Sequence, residues 1–327
     1  MPLIYVTRAI PQAGVQRLAE AFGREAVRVW DHDRPNPREN LLEGVQGADA
    51  ILAILTERID GEVMDAAGGQ LRVVANMAVG YDNVAVPDAT QRGILVTNTP
   101  DVLTETTADL AWALLLSACR RVGEGERMVR ANEWKGWGPL QLLGTDVHGK
   151  TLGIFGMGRI GQATARRAGG FNMRVLYTAR NRLSPEVESS LGAEFVDKDR
   201  LLAESDIISI HCPLTEATRH AFGAAEFAKM REGAVLINTA RGPVVDEAAL
   251  AVALREGPLR AAGIDVYERE PEIHPGLMAC ENAVLAPHLG SATEATRARM
   301  ATVAADNIIA LLNGERPPNP VNPEVLG

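Results

Sequence analysis

The sequence predicts an α/β protein built from two doubly wound parallel-sheet domains, and three observations carry that prediction. Short apolar runs alternate with helix-like stretches along most of the chain, the pattern of parallel strands covered on both faces by helices. A glycine-rich hexapeptide, Gly156-Met157-Gly158-Arg159-Ile160-Gly161, follows the apolar run Leu152 to Phe155 near the middle of that alternation. At 327 residues the chain exceeds the usual single domain of about 100 to 200 residues.

The first block reads as strands over 3–6, 26–30, 50–55, 71–75 and 94–96, with helices over 11–22, 38–47 and 60–67. Two loops directly follow strands here, Leu55-Thr56-Glu57-Arg58-Ile59-Asp60 and Ala78-Val79-Gly80-Tyr81-Asp82-Asn83. Ligands of open α/β sheets sit outside the carboxyl ends of strands, so both loops lie on the edge that holds a ligand. Gly80 either lets backbone N–H groups face a small anion or serves only a tight turn.

Residues 104 to about 130 read as helix and carry the apolar run Leu110-Ala111-Trp112-Ala113-Leu114-Leu115-Leu116. A helix apolar nearly all round is buried inside the protein or between subunits. Residues 131–148, with Trp134, Trp137 and Pro139, show no period and suit an arm reaching a partner chain.

The hexapeptide opens the second block. Its flanks read as strand (152–155), helix (159–168) and strand (173–178), the context a dinucleotide fingerprint requires. In that setting the first glycine makes the turn, the second admits a pyrophosphate, and the third lets helix pack on strand. The phosphates then meet N–H groups at the positive end of a helix dipole. Further strands are expected over 193–196, 206–211, 234–239, 260–266 and 283–287, with helices over 185–191, 200–205, 224–230 and 246–255 between them. A last helix over 293–312 precedes Pro317-Pro318-Asn319-Pro320, which cannot continue it.

Composition narrows the function. A net charge of -9 and a pI near 5.3 argue against a phosphate-neutralising surface and hence against nucleic acid as a partner. Cys119, Cys212 and Cys280 have no metal-ligand spacing and suit a reducing cytoplasm, so no metal is expected. No run of about 18 apolar residues spans a bilayer, and the N-terminus is charged too early for a secretory signal. A cytoplasmic protein without a membrane partner is the expectation.

Three polar residues fall just past strands on the edge of the glycine loop. Arg241 follows Leu236-Ile237-Asn238-Thr239-Ala240, Glu270 follows Gly263-Ile264-Asp265-Val266-Tyr267 at a short distance, and His288 follows Val284-Leu285-Ala286-Pro287. Beside a nicotinamide they make a coherent set: Arg binds a carboxylate with two prongs, His exchanges a proton near neutral pH, and Glu orients the imidazole. Each also has a plain reading, as a surface turn, a solvated charge run or a strand end. His211 ends a strand and competes as the acid, whereas His32, His148, His220 and His274 are more peripheral.

With these residues in view, the sequence resembles the D-isomer-specific 2-hydroxyacid dehydrogenases. The hexapeptide, Asn238-Thr239-Ala240-Arg241-Gly242, Asp265-Val266-Tyr267-Glu268-Arg269-Glu270-Pro271 and Pro287-His288-Leu289-Gly290-Ser291-Ala292 look like that family's successive signatures. The two loops of the first block, with Thr99-Pro100-Asp101-Val102-Leu103-Thr104, look closest to its glyoxylate/hydroxypyruvate reductase branch. The resemblance implies a flavodoxin-like substrate or lid domain over 1–99 and 290–327. A hinge joins it to a Rossmann coenzyme domain over 100–289, which carries a dimerisation helix and arm over 104–148. It also implies NAD(P)-dependent reduction of small 2-oxo acids such as glyoxylate and hydroxypyruvate, to glycolate and D-glycerate.

In that reading Arg241, Glu270 and His288 are catalytic, with His288 the proton donor and Arg241 on the substrate carboxylate. Leu55, Val79, Gly80 and Trp137 are the further substrate residues, and Trp137 reaches the other subunit of a homodimer. Gln141 stands where some relatives carry a second aromatic. The dinucleotide residues implied are Thr107, Gly156, Met157, Gly158, Arg159, Ile160, Gly161, Ala179, Arg180, Asn181, Arg182, Cys212, Pro213, Thr239, Ala240, Arg241, Asp265, His288 and Gly290. Other activities stay open: 3-phosphoglycerate or D-lactate dehydrogenation, or a dinucleotide-sensing binding protein of the same fold.

The second strand of the block bears on the choice of dinucleotide. An NAD site places an acid roughly 20 residues beyond the fingerprint to accept from the ribose 2′-OH. Here no acid occurs between Gly161 and Glu186, and Arg180 and Arg182 bracket Asn181. Guanidinium groups bind phosphate oxygens, so NADPH is expected in preference to NADH, with NADH possible.

Overall fold

A computed structural model describes every residue from Met1 to Gly327. The chain divides into two compact units, Met1–Leu103 with Ala292–Gly327, and Thr104–Ser291. Both are α/β with parallel sheets, as the alternation of runs predicts.

In the first unit the strands are β1 (Ile4–Val6), β2 (Val27–Val29), β3 (Ala50–Ala53), β4 (Val73–Asn76) and β5 (Leu95–Thr97), ordered β2-β1-β3-β4-β5. β3 and β4 are buried at every position, which is why they read as unbroken apolar runs rather than alternating ones. Strand alternation still sorts their side chains. Ile4, Val6, Ala50 and Leu52 pack with the helices Gln12–Phe22 and Glu294–Leu312, while Tyr5, Ile51 and Ala53 pack with Arg38–Gly44 and Gly61–Ala67. The C-terminal helix thus completes the unit that the N-terminus begins.

In the second unit the strands are β6 (Thr151–Phe155), β7 (Arg174–Thr178), β8 (Ala193–Phe195), β9 (Ile207–Ile210), β10 (Ala234–Asn238), β11 (Leu259–Ile264) and β12 (Ala283–Leu285). Their order is β12-β11-β10-β9-β6-β7-β8. The chain runs outward one way from β6 and the other way from β9, and these two strands are hydrogen-bonded neighbours. Diverging connections leave a crevice at the carboxyl ends of that pair, where such sheets take ligands.

One expectation for residues 104–148 changes. The single long helix is two, Thr104–Cys119 and Val122–Arg130, separated at Arg121, whose φ of 54° lies in the left-handed region. The first buries half of its residues in its own unit. It packs on β10, β11 and the helix Arg159–Ala168, with Trp112 stacked on Phe171 and its Nε1 donating to the Thr164 carbonyl at 3.0 Å. Its apolar residues therefore belong to the core of its own unit. The second helix buries no residue, and Trp137 (84% exposed) and Leu140 (81%) stand out on the segment after it, which holds no helix or strand. No helix of the chain is long and apolar enough to cross a membrane.

Candidate active site

The glycine hexapeptide connects β6 to the helix Arg159–Ala168. Gly156 has φ +100°, and a Cβ on it would stand 2.5 Å from the Cys212 amide nitrogen, so the turn lies hard against the chain leaving β9. A Cβ on Gly161 would meet the Gly156 carbonyl oxygen at 2.3 Å, so the first turn of the helix seats on the loop only without a side chain. At Gly158 a Cβ would have nothing within 4 Å, and this residue caps the helix without a side-chain bond. The positive end of the helix therefore opens beside the one glycine of the three that faces free space.

Three strand ends of the same unit deliver the polar set. His288 follows β12, and its Nδ1 lies 2.9 Å from Glu270 Oε2, with both side chains about two-thirds buried (28% and 31% exposed). The other Glu270 oxygen accepts the Tyr267 N–H at 3.0 Å. Burial pushes the Glu270 carboxyl up, but the hydrogen bond and charge of His288, the Tyr267 N–H and the Arg241 guanidinium together hold it below its ordinary value. Glu270 is thus ionised at neutral pH. Since Nδ1 is committed to it, Nε2 is the ring atom left to exchange a proton with a ligand.

Arg241 stands past the end of β10. Asn238 shapes its loop by donating to the Arg241 carbonyl and accepting from Ala240 N–H, both at 3.0 Å. A Cβ on the next residue, Gly242, would fall 1.9 Å from the Tyr267 carbonyl carbon, so the chain after Arg241 rests directly on the segment leading to Glu270.

Comparison with known proteins places this geometry. A family model described as D-isomer specific 2-hydroxyacid dehydrogenase, NAD binding domain, matches residues 112–290. A glyoxylate reductase of Thermococcus gammatolerans is 53% identical, over 99% of this chain and 97% of the relative. The chain belongs to the D-isomer-specific 2-hydroxyacid dehydrogenases. Within them it lies on the glyoxylate reductase branch, and it is an NAD(P)-dependent oxidoreductase acting on small 2-oxo acids. Two solved structures have the same architecture. A glyoxylate reductase from Paecilomyes thermophila superposes with a TM-score of 0.86 at 35% identity, covering 99% of both chains. An NADPH-dependent glyoxylate/hydroxypyruvate reductase from Sinorhizobium meliloti, in complex with NADP and malonate, gives 0.86 at 34%, covering 98% of this chain and 96% of that one.

The residues of this dehydrogenase fit a nicotinamide dinucleotide. Gly158 and the uncapped helix suit a pyrophosphate, and the Thr239 hydroxyl, past β10, is buried without a hydrogen-bond partner. The remaining expected contacts also follow strand ends: Ala179 to Arg182 after β7, Cys212 and Pro213 after β9, Ala240 and Arg241 after β10, Asp265 after β11, His288 and Gly290 after β12. Met157 turns inward instead and joins the core with Ile154 and Trp112.

Three expected residues have different surroundings from those the sequence suggests. Arg182 is already paired, because its Nε and Nη2 each bond a different oxygen of Glu188 at 2.9 Å. Glu188 also accepts from Tyr177 Oη at 2.6 Å, and these two donors bring its carboxyl down to about 2. Arg180 is exposed and outside that cluster. Thr107 donates its hydroxyl to the Gly290 carbonyl at 3.0 Å, which makes it a brace. Asp265, fully buried, accepts Leu289 N–H at 2.6 Å and Gly290 N–H at 2.9 Å, and its own carbonyl accepts His288 N–H at 3.0 Å. Those three bonds hold His288 at φ 54°, a conformation that costs a non-glycine residue of order 1–3 kcal/mol and persists only where its surroundings over-determine it.

Glu247 is a participant that the sequence does not reveal. Buried at the start of the helix Glu247–Arg255, it accepts the backbone N–H groups of Glu268 and His274, so it fixes both ends of the segment that carries Glu270. An acid in a first helical turn ordinarily serves the dipole from the surface, and no signal in the sequence separates the two cases. His220 bonds Glu268, and His274 caps the helix Pro275–Met278 through Nδ1, so both are structural.

His211, the competing acid, is ruled out by its environment. Burial pushes its imidazole down to about 3, and its Nε2 pairs with Ser209 Oγ at 2.8 Å. It stays neutral in the folded protein, whereas the unfolded chain takes up a proton as pH falls below about 6.5. The unfolded state then binds more protons, so this residue removes stability as pH falls from that value towards about 3. Melting temperature should decline from pH 7.5 to 4.5, and less steeply in His211→Gln; equal slopes would contradict the assignment.

In the first unit, Leu55 follows β3 and Val79 and Gly80 follow β4. The backbone N–H groups of Val79, Gly80 and Tyr81 donate to no protein acceptor, so the loop presents three successive donors.

Proposed function

We propose that this chain reduces glyoxylate and hydroxypyruvate to glycolate and D-glycerate, with NADPH as the preferred reductant. The observation that carries the reading is the His288–Glu270 pair in one unit with Arg241, on a chain about half identical to glyoxylate reductases. The dinucleotide, when bound, supplies the hydride that reduces C2 of the 2-oxo acid. His288 gives a proton from Nε2 to the carbonyl oxygen, and Glu270 stabilises the imidazolium beforehand. Arg241 binds the carboxylate and carbonyl oxygens, the Val79 and Gly80 N–H groups add donors to the carboxylate, and Leu55 lines the substrate. Steady-state kinetics with a panel of 2-oxo acids and both reduced dinucleotides tests this: glyoxylate or hydroxypyruvate should give the highest kcat/KM, and no turnover of either would refute it.

The preference for NADPH rests on the loop after β7. It carries no acid to pair with a ribose 2′-OH or repel a 2′-phosphate, and it presents the Arg180 guanidinium and the Asn181 amide. Arg180→Asp should raise KM for NADPH by about 10-fold or more, the worth of one or two charge-assisted bonds, and leave KM for NADH nearly unchanged. A wild-type preference for NADH would show that this loop does not read the phosphate.

The chain is also proposed to be a homodimer through residues 104–148, in which the helix Val122–Arg130 and the arm after it expose the apolar surface. Val122, Val129, Trp137 and Leu140 are large, apolar and more than half exposed, a grouping that marks an interaction surface. Sedimentation should give a dimer at micromolar concentration and a monomer for Val129→Asp with Leu140→Asp. A monomeric wild type would end the proposal.

A further inference from the structure

Of the three backbone donors at Val79, Gly80 and Tyr81, the last two owe their direction to side chains with no assigned role. In a trans peptide the C=O of one residue and the N–H of the next point opposite ways. The Ala78 carbonyl accepts Thr99 N–H at 2.9 Å, the Val79 carbonyl accepts Asn98 Nδ2 at 2.8 Å, and the Gly80 carbonyl accepts Asn76 Nδ2 at 2.9 Å. Three successive carbonyls are thus tied down, and the N–H groups of Val79, Gly80 and Tyr81 face away from those ties. Asn76 is fully buried and bonds Asn83 reciprocally, amide to amide, at 3.1 and 3.2 Å. Asn83 Nδ2 in turn donates to the carbonyls of Ile54 and Glu57, at 3.1 and 3.0 Å, on either side of Leu55 and Thr56. A backbone bridge between Ile59 and Val84 closes the far end of the two loops.

We propose that Asn76, Asn83 and Asn98 form an amide clasp that aims the Gly80 and Tyr81 N–H groups at the substrate carboxylate and fixes Leu55 as the wall limiting substrate size. They are positioning residues, because each touches backbone carbonyls and not the reacting atoms. The clasp adds Tyr81 N–H to the expected donors and assigns the unit a selectivity device. Amides suit this role, since carboxylates in their place could not donate to carbonyls and a hydroxyl, with a single O–H, could not donate to two carbonyls as Asn83 does. The clasp's role rests on the reduction of 2-oxo acids proposed above.

The test uses the full chain, Asn83→Asp and Asn83→Ser. The first sets a carboxylate against two carbonyls, and the second replaces the two-hydrogen amide with a shorter single donor without adding charge, so a failure of one to fold leaves the other. Oxalate, a dicarboxylate with no reducible carbonyl, is titrated calorimetrically, and kcat and KM are measured for glyoxylate and for the bulkier 2-oxobutyrate. Wild type should bind oxalate, and a folded variant should bind it at least about 10-fold more weakly, as expected when hydrogen bonds to a charged group are misdirected. KM for glyoxylate should rise in proportion, the preference for glyoxylate over 2-oxobutyrate should shrink, and dinucleotide affinity should stay within about twofold. Oxalate binding and selectivity unchanged in a variant whose melting temperature drops would reduce the clasp to a structural feature and overturn the proposal, as would a wild type that binds no oxalate. A wild type that binds oxalate through the clasp but reduces no 2-oxo acid would instead overturn the functional reading alone.

Discussion

His288→Ala should lower the rate of 2-oxo acid reduction by about 10²- to 10⁴-fold, the usual worth of a positioned proton donor. Dinucleotide affinity should change little, since the glycine loop and the helix behind it do not depend on the imidazole. The geometry makes the claim specific. Nδ1 is held 2.9 Å from a carboxylate that stays ionised at neutral pH, and three bonds from Asp265 hold the residue at a positive φ. A side chain kept in a costly backbone conformation by a buried acid is set for one orientation of Nε2. His288→Asn should therefore not rescue activity. Single-turnover mixing of the variant, loaded with reduced dinucleotide, against glyoxylate measures the loss at the chemical step, and a near-normal rate would remove His288 from the mechanism.

Arg241→Lys should cost about 10- to 150-fold in kcat/KM for glyoxylate despite keeping the charge. Two parallel bonds to a carboxylate become one, and hydrogen bonds to charged groups are worth about 1.5–3 kcal/mol. The backbone is restrained from shifting to compensate, because Asn238 holds the Arg241 carbonyl at 3.0 Å and Gly242 has no room to move towards Tyr267. Steady-state kinetics checks the value, and wild-type efficiency in the lysine variant would make Arg241 a surface turn.

What can be read in the sequence follows from which physical signals are local. Strands buried on both faces announce themselves as apolar runs, so both sheets are legible, and the strand ends then locate Arg241, Glu270 and His288. The two helices within 104–130 read as one because helical periodicity continues through Arg120 and Arg121, and only the backbone shows Arg121 in the left-handed region. The pairing of Arg182 is hidden for a similar reason. Its partner Glu188 lies six positions on, beyond a turn, and only folding brings the carboxylate back to the guanidinium. Glu247 and the asparagines act on backbone groups far along the chain, as Asn83 does on Ile54, and neither spacing nor composition encodes such a pairing.

That this chain uses a reduced nicotinamide dinucleotide to reduce a small 2-oxo acid is checked most directly by proton NMR of the purified protein with NADPH and glyoxylate. Glycolate should appear in step with oxidised dinucleotide, and His288→Ala should suppress both signals together. Dinucleotide that binds yet stays reduced, with glyoxylate unconsumed, would contradict this and point to a protein that senses the cofactor.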